Sequence, residues 1–187
     1  MTKVFIGGSR RVSRLGPPIR ARLDKIIEKG LAVVVGDANG ADKAVQQYLL
    51  SKHYDNVEVF CSGTACRNNV GHWRTRQILA DTRDRGRRFF AAKDRAMVSE
   101  ATYGLMVWDG KSTGTLLNVL RLLRQNKKVV VYTVPAGQFS ELKAYEQWHD
   151  FIAAHNASLR SETELEAMLE ERAAKREPPS LLPLTPV

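Results

Sequence analysis

Cysteine, histidine and long apolar runs are all scarce in this chain, and each scarcity removes a class of answers. The two cysteines, Cys61 and Cys66, have four residues between them. That spacing fits no common zinc pattern, and two thiols do not make a disulfide framework. They read as reduced thiols, and a cytoplasmic location is the expectation. The four histidines (His53, His72, His149, His155) show no ligand spacing, so no metal is expected, and no cofactor. No apolar run approaches the roughly 20 residues that cross a bilayer, which leaves a membrane out of the expected partners. The first residues, Met1-Thr2-Lys3-Val4-Phe5-Ile6, enter a strand at once, unlike a secretory leader.

What is present is ordinary for a globular chain: 187 residues, 43% apolar and 26% charged, enough for one domain with a substantial core. The expected domain covers 1–176. Residues 177–187 hold four of the seven prolines and read as a flexible tail. Net charge is +9, and much of it lies between Arg67 and Arg95, where nine Lys/Arg face only Asp81, Asp84 and Asp94. A basic stretch of this kind binds nucleic acid or holds small phosphorylated ligands. The competing reading is a solvated helical face.

Five apolar runs read as buried strands: Val4–Ile6, Leu31–Val35, Val57–Cys61, Gly104–Trp108 and Val129–Val134. Helical spacing lies between them, at about 18–29, 41–51, 89–101 and 113–125, and beyond them at 140–155 and 161–175. Residues 62–89 read as a long loop containing one helix. Strands that are apolar throughout and alternate with helices predict an α/β fold. Its form is a Rossmann-like, doubly wound, mostly parallel sheet of about five core strands with helices on both faces. Residues 3–134 form the core and 140–176 supply the C-terminal helices.

Three strands end in glycine turns: Gly7-Gly8-Ser9-Arg10, Gly36-Asp37-Ala38-Asn39-Gly40-Ala41-Asp42, and Asp109-Gly110-Lys111-Ser112-Thr113-Gly114-Thr115. A parallel sheet puts all three at one edge, where ligands of such sheets sit. A strand feeding a glycine turn and a helix N-terminus presents free N–H groups and the positive end of a helix dipole, which suits a phosphate. The predicted ligand-binding set is Gly8, Ser9, Arg10, Gly36, Asp37, Asn39, Gly40, Asp42, Trp108, Gly110, Ser112, Thr113, Gly114 and Thr115. Each member also has a plain structural reading. The glycines serve turns, the hydroxyls and Asp37 and Asp42 cap helices, Arg10 makes a surface ion pair, and Trp108 fills the core rather than stacking on a base.

The order and spacing of these motifs over residues 3–134 resemble the SLOG superfamily, which includes the LOG phosphoribohydrolases (once called lysine decarboxylase-like), DNA-processing protein A and many small bacterial and phage proteins. Gly8-Ser9-Arg10 resembles its first turn, and Gly36 through Asp42 its second. Lys93-Asp94-Arg95-Ala96-Met97 with Gly104 through Thr115 resembles the stretch that ends in a Gly-x-Gly-Thr turn. The resemblance implies a nucleotide pocket. In LOG enzymes it implies cleavage of a nucleotide N-glycosidic bond by an Arg and a Glu. This chain has Lys93 and Asn118 at those places, and an amide neither activates water nor stabilises an oxocarbenium-like centre well. Lys93, Asp94 and Asp109 are then the candidate catalytic residues.

Three functions follow as expectations. The first is a sensor or binding protein for a nucleotide or nucleotide-derived small molecule. The second is a nucleotide N-glycosidase or related nucleoside-processing enzyme. The third is a single-stranded DNA-binding protein, against which the shortage of aromatics in 67–95 argues. Pairing of two copies through 140–176 is an alternative to that region merely covering the sheet.

Overall fold

The structure, a computed structural model, describes residues 2–79 and 87–176. Its strands are β1 (Lys3–Gly8), β2 (Ala32–Gly36), β3 (Val57–Ser62), β4 (Arg74–Ile78), β5 (Tyr103–Trp108), β6 (Val129–Thr133) and β7 (Gln138–Leu142). Its helices are α1 (Pro17–Glu28), α2 (Ala41–Ser51), α3 (Arg87–Glu100), α4 (Thr113–Arg124), α5 (Gln147–Asn156) and α6 (Leu159–Arg176). The strands form one sheet in the order β4-β3-β2-β1-β5-β6-β7. All neighbours are parallel except β6 and β7.

The five apolar runs become the five central strands because both faces of the sheet are covered. On one face Val4, Ile6, Val33, Val35, Val59 and Val107 pack with Ile19, Leu23, Val45 and Leu49 of α1 and α2. On the other, Phe5, Val34, Phe60, Met106 and Trp108 meet Met97 of α3, Leu116 and Leu120 of α4, and Trp148, Phe151 and Ile152 of α5. The apolar side chains of these strands are thus nearly all buried, at about 1.5–3 kcal/mol each. Helix α1 opens on Pro17 and Pro18, whose missing N–H groups have no helical partner to lose.

Two segments depart from the sequence expectation, so the sheet has seven strands rather than about five. Residues 74–78 extend the sheet as edge strand β4 instead of lying in a loop. Residues 138–142 form β7, antiparallel to β6, where a helix over 140–155 is expected from apolar spacing. That helix starts only at Gln147. The expected Pro-rich tail, 177–187, lies outside the described residues. Among the described residues no helix is long and apolar enough to cross a membrane.

Candidate functional site

The chain reverses its winding direction between β1 and β5. From there β2, β3 and β4 extend one way and β6 and β7 the other. Side chains that follow Gly8 and Trp108 therefore meet at the point where open α/β sheets leave a crevice. The parallel register Gly8↔Val107 brings Ser9 beside Asp109. The Ser9 hydroxyl donates to Asp109 Oδ1 at 3.0 Å and lies 3.1 Å from Thr115 Oγ1. The same Asp109 Oδ1 accepts the N–H groups of Lys111 (3.0 Å) and Ser112 (2.8 Å). Ser112 caps α4 by accepting the Thr115 N–H at 3.3 Å.

This knot satisfies itself. Partial burial opposes the charge on Asp109, but the donated bonds from Lys111, Ser112 and Ser9 outweigh it and hold the carboxyl below its ordinary value. Asp109 thereby takes the N–H groups that a phosphate would otherwise find in this turn, and it acts as the anchor of the turn. Thr113 and Gly114, the next two residues, are at the first positions of α4. Their N–H groups find no partner among the described residues, and a Cβ added at Gly114 would meet nothing within 4 Å. The open part of the helix N-terminus is there.

A second knot forms where the β2 turn meets α3 and α4. Lys93, only 4% exposed, reaches Asp94 Oδ1 at 2.8 Å and Asp42 Oδ2 at 4.0 Å. Asn118 donates from Nδ2 to Asp94 Oδ2 at 3.3 Å, and Arg121 donates to Asn118 Oδ1 at 2.5 Å. Asp42 Oδ2 also accepts the Ala38 N–H at 3.2 Å. Burial pushes Asp42 up to about 6, partly offset by Lys93. Burial works against the charges of Lys93 and Asp94 too. Their mutual attraction, with Asp42 acting on Lys93 and Arg121 on Asp94, outweighs it, so Lys93 is raised and Asp94 lowered. Both members of that pair are charged near neutrality.

The β2 turn has glycines because these groups leave no room for a side chain. A Cβ at Gly36 would run into Asp42 Oδ2 and sit 2.7 Å from Lys93 Nζ. Gly40 has φ +83°, a left-handed conformation, and a Cβ there would strike the Arg10 backbone. Gly8 is likewise pressed between the Val107 carbonyl and Ala41. These three glycines serve packing, and Gly110, with φ +79°, serves the turn.

At the rim, Asp37 is 1% exposed and accepts from the Arg67 backbone N–H (3.0 Å) and guanidinium (2.6 and 3.1 Å). Asn68 Nδ2 donates to the Asp37 carbonyl and to Asn39 Oδ1. The guanidinium of Arg67 lies 4.2 Å from the Phe90 ring centroid, and that of the exposed Arg10 lies 5.9 Å from it. Trp108 is fully buried, and its Nε1 donates to the Ser112 carbonyl at 3.1 Å. It supports the turn from beneath, as the core reading of this residue has it.

One further expectation changes. Cys61 and Cys66 form a disulfide rather than two reduced thiols, closing the loop that delivers Arg67. In the basic stretch some of the described cations are engaged within the protein, while Arg74 and Arg95 are exposed. Arg67 pairs with Asp37, Arg76 with Glu58 and Glu100, and Lys93 with Asp94 and Asp42. The partner Arg121 was not legible as a site residue, and nothing in the sequence spacing ties position 67 to 37.

No family model matches this chain, and no curated protein does. Among solved structures it is similar to DNA processing protein A from Helicobacter pylori, a protein described for its mode of binding single-stranded DNA. The TM-score is 0.51 at 17% identity, covering 70% of this chain and 64% of that one. This chain thus spans under two thirds of that protein. The two share a mostly parallel Rossmann-like α/β fold, and the likeness is one of fold.

Proposed function

We propose that the cleft between β1 and β5 binds a nucleotide or nucleotide-derived small molecule, with its phosphate against the N-terminus of α4. The observation that carries this reading is the open pair of N–H groups at Thr113 and Gly114. They stand at the positive end of α4, one turn before Asn118 and the Lys93–Asp94 pair. A phosphate there gains charge-assisted hydrogen bonds and the helix dipole. Arg10 at the rim supplies a cation for a second anionic group. Binding without turnover is favoured because both ends of the Asn118 amide are engaged, by Asp94 and Arg121, and no carboxylate stands at that position to activate water.

The test is a calorimetric and thermal-shift survey of nucleoside mono-, di- and triphosphates, with chromatography for released base. A bound nucleotide at a hundredfold excess over Kd raises stability by about 2.7 kcal/mol. Gly114→Val, which fills the open space, is expected to weaken binding by at least about tenfold. Free base appearing with wild-type protein would move the reading to the N-glycosidase class, with Lys93, Asp94 and Asp109 its candidate catalytic residues. No binding by any nucleotide would overturn the reading.

A second reading is supported by the fold likeness and by the exposed Arg10, Arg11 and Arg14, which follow the first turn. On it, the same edge holds the backbone of single-stranded DNA. Its test is fluorescence anisotropy with a labelled oligonucleotide, where affinity should fall steeply with salt.

A further inference from the structure

The bridge between Cys61 and Cys66 has four residues between its ends. A disulfide stabilises a fold more the longer the chain it closes, and this one closes little. Its position says more than its share in stability. Cys61 is fully buried near the end of β3, whereas Cys66 is half-buried in a loop whose Thr64 and Ala65 are exposed. A thiol that attacks this bridge must therefore approach from the Cys66 side.

The chain on either side of Cys66 is tied down without the bridge. Gly63 donates its N–H to the Ile78 carbonyl at 3.0 Å, and Gln77 Nε2 donates to the Thr64 carbonyl at 2.8 Å. Further on, Gln46 donates to the Asn68 carbonyl and accepts the Val70 N–H. Between these anchors the bridge sets the position of Cys66, and Arg67 follows directly. The Arg67 backbone N–H and guanidinium both rest on the buried Asp37. Two free thiols need non-bonded separation. Cys61 is walled in by the core, so on reduction it is Cys66 that backs away, and the Arg67 N–H moves with it.

We propose that Cys61 and Cys66 form a redox switch at the rim of the cleft. As a disulfide the pair holds Arg67 on Asp37, and as a dithiol it releases Arg67 into water. The reducing step is exchange with an external dithiol. Its thiolate attacks Cys66 Sγ, the Cys61–Cys66 bond breaks, and Cys61 leaves with the electron pair and takes up a proton. The second thiol of the reagent then displaces Cys66, which takes up a proton in turn. Two electrons pass to the protein and the reagent ends as a disulfide. The anchors at 63–64 and 68–70 keep the two thiols within reach of each other, so oxidised glutathione closes the bridge again. The inference does not depend on what the cleft binds.

The experiment equilibrates the folded protein in mixtures of reduced and oxidised glutathione, then alkylates free thiols and weighs the intact chain. No alkylation at the oxidising end, two additions at the reducing end, and full reversal are expected. Amide exchange followed by NMR reads the consequence. The Arg67 N–H should exchange at least about tenfold faster in the reduced protein, while the amides of Val59 and Phe60 in β3 keep their rates. Cys66→Ser and, independently, Cys61→Ala should exchange at the reduced rate whatever the glutathione ratio. The inference is overturned if the bridge fails to form or to open while the protein is folded, or if glutathione adds to Cys66 in its place. It is equally overturned if Arg67 exchanges alike in both states, or if either variant still responds to the ratio.

Discussion

The two hydrogen-bonded knots at the sheet edge use aspartate to opposite ends. The knot at β1 and β5 is built from Ser9, Ser112, Thr115 and one carboxylate, and every bond in it shapes the turn. The knot at β2, α3 and α4 holds a lysine and two aspartates away from water with an amide and an arginine. The first resembles an ordinary helix cap with a longer reach. In the second, each charge is tolerated only because of the others, and the loss of one strands the rest. Groups near a glycine turn therefore divide by what they pair with, and the charge of the partner decides how much a deletion costs.

The largest effect that would break this contrast is at Lys93. Lys93→Met leaves the buried Asp42 without its cation and Asp94 with Arg121 alone, and should destabilise the protein by about 3–5 kcal/mol in urea unfolding at pH 7. The loss should shrink at acid pH, where Asp42 is neutral. A cost under about 1 kcal/mol would place the lysine among ordinary surface pairs.

Next is the pH dependence of Asp42. Its folded value of about 6 lies above the unfolded value of about 3.9, so the folded protein holds a proton that the unfolded chain has released. That contribution is fully present below about pH 4 and is lost as pH rises through 6, on the order of 3 kcal/mol. Asp42→Asn should lack this slope, which is checked by comparing unfolding free energies of the two proteins from pH 4 to 7.

In the first knot, Asp109→Ala removes the acceptor of two backbone N–H groups and the Ser9 hydroxyl. A loss of about 2 kcal/mol is expected from thermal unfolding, with little pH dependence above pH 5. The smallest effect is at Gly114, where a methyl meets nothing. Gly114→Ala should raise stability by about 0.5–1 kcal/mol, since it removes unfolded-chain entropy at no steric cost. A destabilising Gly114→Ala would show that the space beside α4 is less open than its geometry.

The central strands and the three converging turns were legible because apolar β-branched runs and glycine turns are local signals. Strand β4 was not: Arg74-Thr75-Arg76-Gln77-Ile78 is an edge strand with mostly exposed side chains, so it lacks the apolar run that marks a core strand. Strand β7 was hidden because Leu142, Tyr145 and Trp148 have helical spacing across its end. The site set was legible as a neighbourhood and not as roles. Asp109 reads as a candidate catalytic carboxylate, and its register beside Ser9, which makes it the anchor of its turn, is not visible in the spacing. Lys93 and Asp94, adjacent in sequence, work as an ion pair only because Asp42 and Asn118 arrive from other elements. The disulfide comes from tertiary placement, for which the sequence offers no spacing to read.

The two outer strands bear on whether the sheets of two copies can join edge to edge. A sheet ends in unpaired backbone groups that invite another strand, and charged or polar side chains there discourage it. One border carries Arg74, Arg76 and Gln77, and the other carries Gln138, Ser140 and Glu141. Neither offers the long apolar edge on which sheets join, so the chain is guarded at both borders against growth of its sheet into fibres.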